Sequence, residues 1–216
     1  MKKDIRTAIT SILGLTLVLG ILYPLVITGI SQGVFPGNAD GQLVYQHGKL
    51  VGSKEIGQQY TNLVYTKSGK VKLDDGEQIT TPNKRYFQTR PSGTVPADND
   101  AATAFANYGP NDKVTEQAIA ANATAYLSLN KPYDASLTLA KVPVDAVDTS
   151  ASGVDPDISP ANATIQAHRV AAVRHLPLST VMALVHRFTG GRGLGFSGEP
   201  SVNVMELNLA LDRAHA

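Results

Sequence analysis

The sequence predicts a mixed α/β soluble domain carried on a single N-terminal transmembrane helix. Three observations lead to this prediction. Residues 7–39 contain no charged side chain, strand-like stretches separated by turn residues follow, and helix-type patterns fill the last half of the chain. We predict an N-terminal segment over residues 1–6, a membrane helix over 7–30, a linker over 31–41 and a domain over 42–216.

The apolar run over residues 7–30 is long enough to cross a bilayer. At about 1.5 Å per residue it spans roughly 36 Å, against a hydrocarbon core of about 30 Å. A cleaved signal peptide is the alternative, but its apolar core is normally about 7–15 residues, and residues 37–39 match its cleavage site poorly. Pro24 removes a backbone donor and predicts a kink. Small residues such as Gly20 would let another helix approach closely.

Basic residues lie on one side of this run only. Lys2, Lys3 and Arg6 precede it, and no further Lys or Arg occurs until Lys49. The positive-inside bias therefore places the N-terminus in the cytoplasm and the domain outside it, in a single-pass protein of the cell membrane. Tyr23 falls toward the outer interface, where an amphipathic ring is favoured.

Composition narrows the possible functions of the domain. The length beyond the linker suits one domain with a core. A net charge of +1 gives no electrostatic reason to expect a nucleic-acid partner. The chain has no cysteine, which excludes disulfides, thiolate catalysis and cysteine-ligated zinc.

The first half of the domain reads as strands and loops. Residues 43–52 predict a hairpin that turns at His47-Gly48. Residues 63–81 are also strand-like, with turn signals at Ser68-Gly69 and Asp75-Gly76. Residues 91–100 are rich in Pro, Ser, Gly, Asp and Asn and predict a loop.

The second half reads as helices. We predict a helix over residues 115–129 with Thr115 as its N-cap, and a second from Ser159, with Pro160 at its first position, to about His175. A third helix is predicted over residues 179–189, ended by Gly190-Gly191.

A short extended stretch over residues 202–204 leads into the last helix. Asn203 and Glu206 stand at the spacing of a capping box at its start.

The sequence carries no recognisable catalytic motif or metal site. The histidines at 47, 168, 175, 186 and 215 include no pair at the i, i+3 or i, i+4 spacing of helical metal ligands. Residues 193–198 fit G-x-G-x-x-G, but a helix precedes them and Glu199-Pro200 follows, which is the wrong context for dinucleotide binding. We therefore expect no catalytic residues and no bound metal.

Motifs spread along the whole chain resemble one family. PVDAV at residues 143–147, SASGVDPDISP at 150–160, QAHRVAAVR at 166–174 and GEPSVNVMELNLALD at 198–212 are similar to the KdpC family, the C subunits of Kdp-type potassium-transporting ATPases. GILYP in the membrane helix and YFQTRPS at 86–92 are similar to it as well.

The chain also departs from the family pattern. Residues 61–85 look like an insertion between two family motifs, residues 105–111 shorten another, and Glu55 replaces a usually apolar residue. Contacts carried by these regions in the family are not expected to transfer directly.

The resemblance implies a non-catalytic subunit of a high-affinity, ATP-driven potassium importer. Its implied partners are a channel-like potassium-binding subunit, a P-type ATPase subunit and a small single-span subunit, beside membrane lipid and without nucleic acid. The family is described as a catalytic chaperone that supports ATP binding by the ATPase subunit. ATP and potassium would be handled by those partners, with no cofactor bound directly. The alternative is a membrane-anchored extracytoplasmic binding protein or enzyme acting alone.

The resemblance also assigns candidate site residues. Gln166 matches the glutamine that the family links to the nucleotide. This conflicts with the predicted orientation, because an extracytoplasmic domain cannot reach cytoplasmic ATP, so an indirect effect is expected. For Arg90, Asp155 and Arg169, a role in internal structure is an open alternative to a role at an interface. The interface candidates are Gly20, Tyr23, Pro24, Tyr86, Arg90, Pro91, Ser152, Gly153, Asp155, Pro156, Arg169, Asn203, Glu206 and Asn208.

Overall fold

The computed structural model describes residues 2–74, 76–94, 97–99, 101, 108–109 and 111–214. The chain divides into two compact units, Met1–Ser53 and Lys54–Ala216. The hairpin that we placed in the domain therefore groups with the membrane helix. Three predicted features fall wholly or partly on residues that are not described: the loop at 91–100, the shortened motif at 105–111 and the turn residue Asp75.

The first unit contains one long apolar helix, the single candidate membrane span in the described part of the chain. It covers Lys2–Val34, 33 residues, and so extends beyond both ends of the predicted 7–30 run. It consists of α1 (Lys2–Leu15), a π-helical stretch (Thr16–Leu22) and α2 (Tyr23–Val34). None of its described residues is buried, which fits a helix that is surrounded by lipid.

The π-helical stretch explains how the helix accommodates Pro24. The Tyr23 N–H donates to the carbonyl of Val18, five residues back instead of four. Pro24 has no N–H, and its ring would clash with the carbonyl of Gly20 in a regular α-helix. A π-helical turn ahead of the proline shifts that register. The kink predicted at Pro24 stays a prediction.

A short helix and a hairpin complete the first unit. Helix α3 (Pro36–Ala39) is followed by strands β1 (Leu43–Gln46) and β2 (Lys49–Ser53), which pair antiparallel as predicted. His47 and Gly48 have φ values of 50° and 76°, the pattern of a type I′ turn.

The second unit begins with a narrow β-ribbon in the predicted strand-like region. Strand β3 (Thr61–Leu63) pairs with β6 (Thr80–Pro82), and β4 (Leu73–Asp74) pairs with β5 (Glu77–Gln78), all antiparallel. This ribbon accounts for most of the residues that we identified as an insertion. The predicted turn glycines, Gly69 and Gly76, both have positive φ.

Helix α4 (Lys113–Asn130) starts two residues earlier than predicted. Its N-cap is Asp112, whose carboxylate accepts a hydrogen bond from the Val114 N–H at 2.8 Å. The predicted cap, Thr115, is wrong because Asp112 offers a stronger acceptor one turn earlier and Lys113 and Val114 extend the helix. Three 3-10 turns follow, at Lys131–Tyr133, Leu139–Lys141 and Val144–Ala146.

Helix α5 (Pro160–Arg174) agrees with the sequence in detail. The Ser159 hydroxyl accepts from the Asn162 N–H, Pro160 occupies the first turn, and His175 ends the helix at φ 57°. Helix α6 (Leu178–Arg187) stops earlier than predicted, because Thr189–Gly190 forms strand β8.

A small sheet and α7 complete the domain. β7 (Asp157–Ile158) and β8 flank β9 (Ser201–Asn203) in the order β7-β9-β8, antiparallel throughout. Helix α7 (Val204–Ala214) begins where Asn203 Oδ1 accepts from the Glu206 N–H at 3.1 Å, which confirms one half of the predicted capping box.

The apolar core lies among α5, α6, α7 and this sheet. The arrangement confirms a mixed α/β domain on a single apolar helix. The core residues are Phe87, Ile158, Ala163, Ala167, Val170, Ala171, Val181, Val185, Val202, Val204, Leu207 and Leu211.

Candidate functional site

The candidate site is built around an irregular segment, residues 84–88, which we call the clamped segment. It follows β6 and belongs to no strand. Its backbone groups bond instead to buried side chains that come from α5 and α7. Because a buried backbone group without a partner is costly, these side chains take over the role of a neighbouring strand.

Two amide side chains bind consecutive residues of the clamped segment. Asn208 on α7 accepts from the Phe87 N–H at 2.9 Å and donates to the Phe87 carbonyl at 3.0 Å. Gln166 on α5 accepts from the Gln88 N–H at 2.8 Å and donates to the Gln88 carbonyl at 3.0 Å. An amide offers a donor and an acceptor in one plane, so each pair imitates a β-ladder contact.

The hydrogen-bonding capacity of Gln166 is fully used inside the domain. Its second N–H donates to Asn162 Oδ1 at 2.9 Å, and its oxygen also accepts from Arg169 Nη2 at 2.8 Å. With the two bonds to Gln88, two donors and two acceptor positions are occupied, which is the capacity of an amide. The side chain is 1 % exposed. A ligand could bond Gln166 only by displacing these partners.

Arg169 is a fully buried cation held by neutral acceptors. It donates to the carbonyls of Lys84 at 2.7 Å and Tyr86 at 2.9 Å, and its Nε donates to Asn130 Oδ1 at 2.9 Å. Burial lowers the pKa of Arg169 to about 10, which still leaves the guanidinium charged at neutral pH. Its charge thus fixes two carbonyls of the clamped segment.

Arg174 holds the other side of the same segment. It donates to the Arg85 carbonyl at 2.6 Å and forms an ion pair with Asp212 at 2.8 Å. Its guanidinium also lies 4.7 Å from the centre of the Tyr86 ring, a cation–π contact. The Tyr86 hydroxyl donates to the second oxygen of Asp212 at 3.2 Å.

A carboxylate organises the start of α5 and extends the network. Asp145 accepts from the Ser159 N–H and hydroxyl, each at 2.8 Å, and from Asn162 Nδ2 at 3.0 Å. Asn162 Oδ1 also accepts from the Tyr126 hydroxyl at 2.8 Å. Burial raises the pKa of Tyr126, so its hydroxyl stays protonated and remains a hydrogen-bond donor.

A second group of candidates joins the loop after the clamped segment to residues 149–156. Arg90 Nη1 lies 3.2 Å from Asp155 Oδ2, with the two side chains 25 % and 27 % exposed. Arg90 Nη2 donates to the Thr149 carbonyl at 3.4 Å, whereas its buried Nε has no partner among the described residues. The Pro91 carbonyl accepts from the Ser150 N–H at 3.2 Å.

Two glycines allow this loop to pack closely. Gly153 has φ 76°, and its carbonyl accepts from the Ser92 hydroxyl at 2.6 Å. A Cβ on Gly57 would lie 2.7 Å from the Asp155 carbonyl oxygen. Both positions therefore disfavour any larger residue.

The remaining domain candidates lie around the start of α7. Asn203 donates to the Lys54 carbonyl at 2.9 Å and to Asp157 at 3.1 Å. Glu206 pairs with the Lys54 ammonium at 2.6 Å. The Pro156 carbonyl accepts from the Val204 N–H at 3.0 Å, and the Ser152 hydroxyl lies 2.9 Å from that of Ser150.

The structure thus places the domain candidates in hydrogen-bonded groups around the clamped segment, the Arg90 loop and the start of α7, which we together call the framework. Arg169, Asn208 and Gln166 are buried in it, whereas Arg90, Asp155 and Glu206 lie at its edge. Gly20, Tyr23 and Pro24 belong to the first unit, in the exposed helix. In the part of the chain that the structure describes, no three histidine or acidic side chains are grouped to hold a metal ion.

Several members of the framework were not singled out from the sequence: Asn130, Asp145, Asn162, Arg174 and Asp212. Asn162 carried a signal, because the Ala-rich α5 places polar residues at 159, 162, 166 and 169 along one face. That pattern is normally interpreted as a solvent-exposed face.

Comparison with known proteins decides the family. A family model described as "KdpC: K+-transporting ATPase, c chain" matches residues 5–213. The chain belongs to the KdpC family. Relatives with the name "Potassium-transporting ATPase KdpC subunit" come from several bacteria. The Mycobacterium tuberculosis H37Rv protein is 40% identical, over 99% of this chain and 100% of the relative.

Other members of the family agree over nearly the same span. The Streptomyces coelicolor protein is 41% identical over 93% of this chain and 88% of its own length. The Methylibium petroleiphilum protein is 40% identical over 98% of both chains. A subunit of a potassium-transporting ATPase implies partner subunits, and the apolar N-terminal helix fits the single membrane span of such a subunit.

Proposed function

We propose that this chain is the non-catalytic subunit that stabilises a potassium-importing complex and supports ATP binding by its P-type ATPase subunit indirectly. The partners are the channel-like potassium-binding subunit, the ATPase subunit and a small single-span subunit. The membrane helix docks among them through the face that carries Gly20, Tyr23 and Pro24. The domain braces the external side of the channel-like subunit.

The observation that carries an indirect role is the saturated amide of Gln166. Its four hydrogen bonds fix Gln88, Asn162 and Arg169, and the side chain is buried. A nucleotide would have to replace these bonds at a cost of about 1–3 kcal/mol for each buried group left unpaired. Gln166 therefore acts by holding the clamped segment.

The orientation of the chain supports the same view. The basic residues Lys2, Lys3 and Arg6 precede the span, which favours a cytoplasmic N-terminus and an external domain. The chain has no cysteine, so the single variant Ser179→Cys at an exposed position provides a clean probe. A membrane-impermeant maleimide should label this variant in intact cells. Labelling only after permeabilisation would place the domain in the cytoplasm and contradict the proposal.

The indirect role is tested in the assembled complex by comparing two variants whose domains are destabilised to the same extent. Gln166→Glu keeps the shape but removes both N–H donors, and Leu211→Ala creates a cavity elsewhere in the core. Each variant is assayed at the temperature at which its domain has the same folded fraction. The ATP concentration that gives half-maximal hydrolysis is then measured for both. We expect equal changes in both. A change only in Gln166→Glu would mean direct contact with nucleotide.

An exposed position on the same helix gives the matched control. Ala172→Gln adds an amide to the exposed side of α5 and should leave both melting and ATP dependence as they are in the parent complex.

A further inference from the structure

The loop between β8 and β9 forms a compact, internally tied tip, residues 192–199. The Gly193 N–H donates to the Ser197 carbonyl at 2.7 Å, and the Ser197 N–H donates back to the Gly193 carbonyl at 2.8 Å. At the base of the tip, Arg192 and Glu199 form an ion pair at 2.7 Å. The tip is therefore a defined structure rather than a loose loop.

This tip presents two apolar side chains to solvent. Leu194 is 91 % exposed and Phe196 is 76 % exposed, the highest values for large apolar residues in the part of the chain that the structure describes. Nothing within the tip covers them. Burying such a pair elsewhere would release roughly 1.5–3 kcal/mol for each side chain.

The backbone conformation at Leu194 indicates that its exposed apolar side chain has a role. Leu194 has φ 52° and the following Gly195 has φ 82°. A left-handed conformation costs a non-glycine residue about 1–2 kcal/mol, and asparagine or glycine is normally preferred in such a turn. The chain therefore accepts strain in order to display a leucine at the most projecting position.

The size of the apolar pair favours a lipid surface over a protein partner. Two side chains offer a few hundred Å² at most, whereas a stable protein interface needs about 1,200 Å² or more. A bilayer needs no matching surface, and the N-terminal helix keeps the domain near one at high effective concentration. Exposed Arg187 precedes the tip and exposed Arg192 lies at its base, an arrangement that suits phosphate headgroups.

We propose that the tip inserts Leu194 and Phe196 into the interfacial layer of the bilayer to which the N-terminal helix tethers the chain. The insertion gives the domain a second membrane contact, which limits its rotation relative to the bilayer. Arg192 lies at headgroup level, where its guanidinium can bond phosphate while it remains near Glu199.

Tryptophan fluorescence tests this proposal on the full chain. The sequence has no tryptophan, so Phe196→Trp gives a single reporter in lipid vesicles that carry the full chain and no other protein. We expect emission at shorter wavelength than free indole in water, and a loss of intensity when bromine-bearing lipids replace ordinary ones. Val144→Trp is the control, because Val144 is 73 % exposed on a separate 3-10 turn and should stay insensitive to bromolipids.

A second substitution, added to Phe196→Trp, separates lipid contact from other causes. Leu194→Asn removes the apolar group and relieves the φ strain, so it should not lower the melting temperature, yet it should weaken the quenching of the indole reporter by bromolipids. The proposal is overturned if bromolipids leave the reporter unchanged while aqueous iodide quenches it. It is equally overturned if the reporter becomes shielded only in the assembled complex and without lipid quenching, because a partner subunit is then the occupant.

Discussion

The two units of this chain meet opposite physical problems. In the first unit, the helix over Lys2–Val34 exposes its apolar side chains, and none of its described residues is buried. In the second unit, Gln166, Arg169, Arg174 and Asn208 are buried although they are polar or charged. The apolar helix of the first unit is suited to a lipid surrounding, whereas these four side chains of the second unit form hydrogen bonds within it.

This difference indicates where partner contacts should be sought. The buried side chains of Gln166, Arg169, Arg174 and Asn208 already bond the clamped segment, so they have little capacity left for another molecule. Surface that is exposed and available for contacts remains on the membrane helix, on the tip and at the loop edge around Arg90. The framework is therefore expected to affect assembly through the shape of the domain.

Replacement of Arg169 should give the largest effect. Arg169→Met removes the buried cation and leaves acceptors at Lys84, Tyr86 and Asn130 without a donor. Three buried acceptors without a donor should together lower the free energy of unfolding by at least about 3 kcal/mol, measured by denaturant titration. Arg192→Met removes an exposed ion pair and should cost less than about 1 kcal/mol. A stable Arg169→Met domain that fails to assemble would instead make Arg169 an interface residue.

Asn208 is expected to rank next. Asn208→Leu has a similar volume but leaves the N–H and carbonyl of Phe87 unpaired in the core. Two unsatisfied buried groups should cost about 2–4 kcal/mol. Circular dichroism melts would measure the loss, with exposed Arg213→Ala as the control. An unchanged melt would show that water reaches Phe87 and that the segment is not clamped.

A substitution at Gly57 should destabilise the domain somewhat less. A Cβ there would lie 2.7 Å from the Asp155 carbonyl oxygen, a backbone atom that can move only if the loop shifts. Gly57→Ala should therefore destabilise the domain by about 1–3 kcal/mol. Gly191→Ala is the matched control, since nothing lies within 4 Å of its added Cβ. Equal melting of the two variants would contradict the packing described for this loop.

The Arg90–Asp155 pair can separate internal structure from interface. Both side chains are only about a quarter exposed, and Arg90→Met leaves the Asp155 carboxylate without this donor, so domain stability should fall by about 1–2 kcal/mol. If this edge contacts a partner subunit, the yield of co-purified complex should nevertheless fall. Loss of yield in proportion to loss of stability would assign the pair to internal structure.

The smallest expected effect is a dependence of stability on pH through Asp98. Burial raises the pKa of Asp98, although hydrogen bonds from Gln59 and Thr89 oppose the shift. The folded state then binds the proton more tightly than the unfolded state, so stability falls as pH rises from about 3.8 through the raised pKa. Asp98→Asn should flatten that fall in melts recorded across this range. An identical slope in both proteins would rule out this contribution.

Local signals made much of the fold predictable. Ser159-Pro160 and Asn203 with Glu206 identified the starts of α5 and α7 because capping depends on residues close in sequence. The end of α6 was missed because Thr189–Gly190 pairs with β9, a contact that no local pattern shows.

The framework itself could not be predicted from the same signals. Gln166 and Gln88 are 78 residues apart, and Asn208 and Phe87 are 121 apart. Polar residues on a helix normally face solvent, so their burial depends on a distant segment that lacks a strand partner. The family resemblance identified Gln166, Arg169 and Asn208, and the structure gives their contacts.

We propose that Gln166 supports the domain and makes no contact with nucleotide. Calorimetric titration of the full chain in nanodiscs with ATP at millimolar concentration tests it most directly. We expect no saturable heat, and the parent chain and Gln166→Glu should give the same trace. Saturable binding that Gln166→Glu abolishes while the domain remains folded would contradict it.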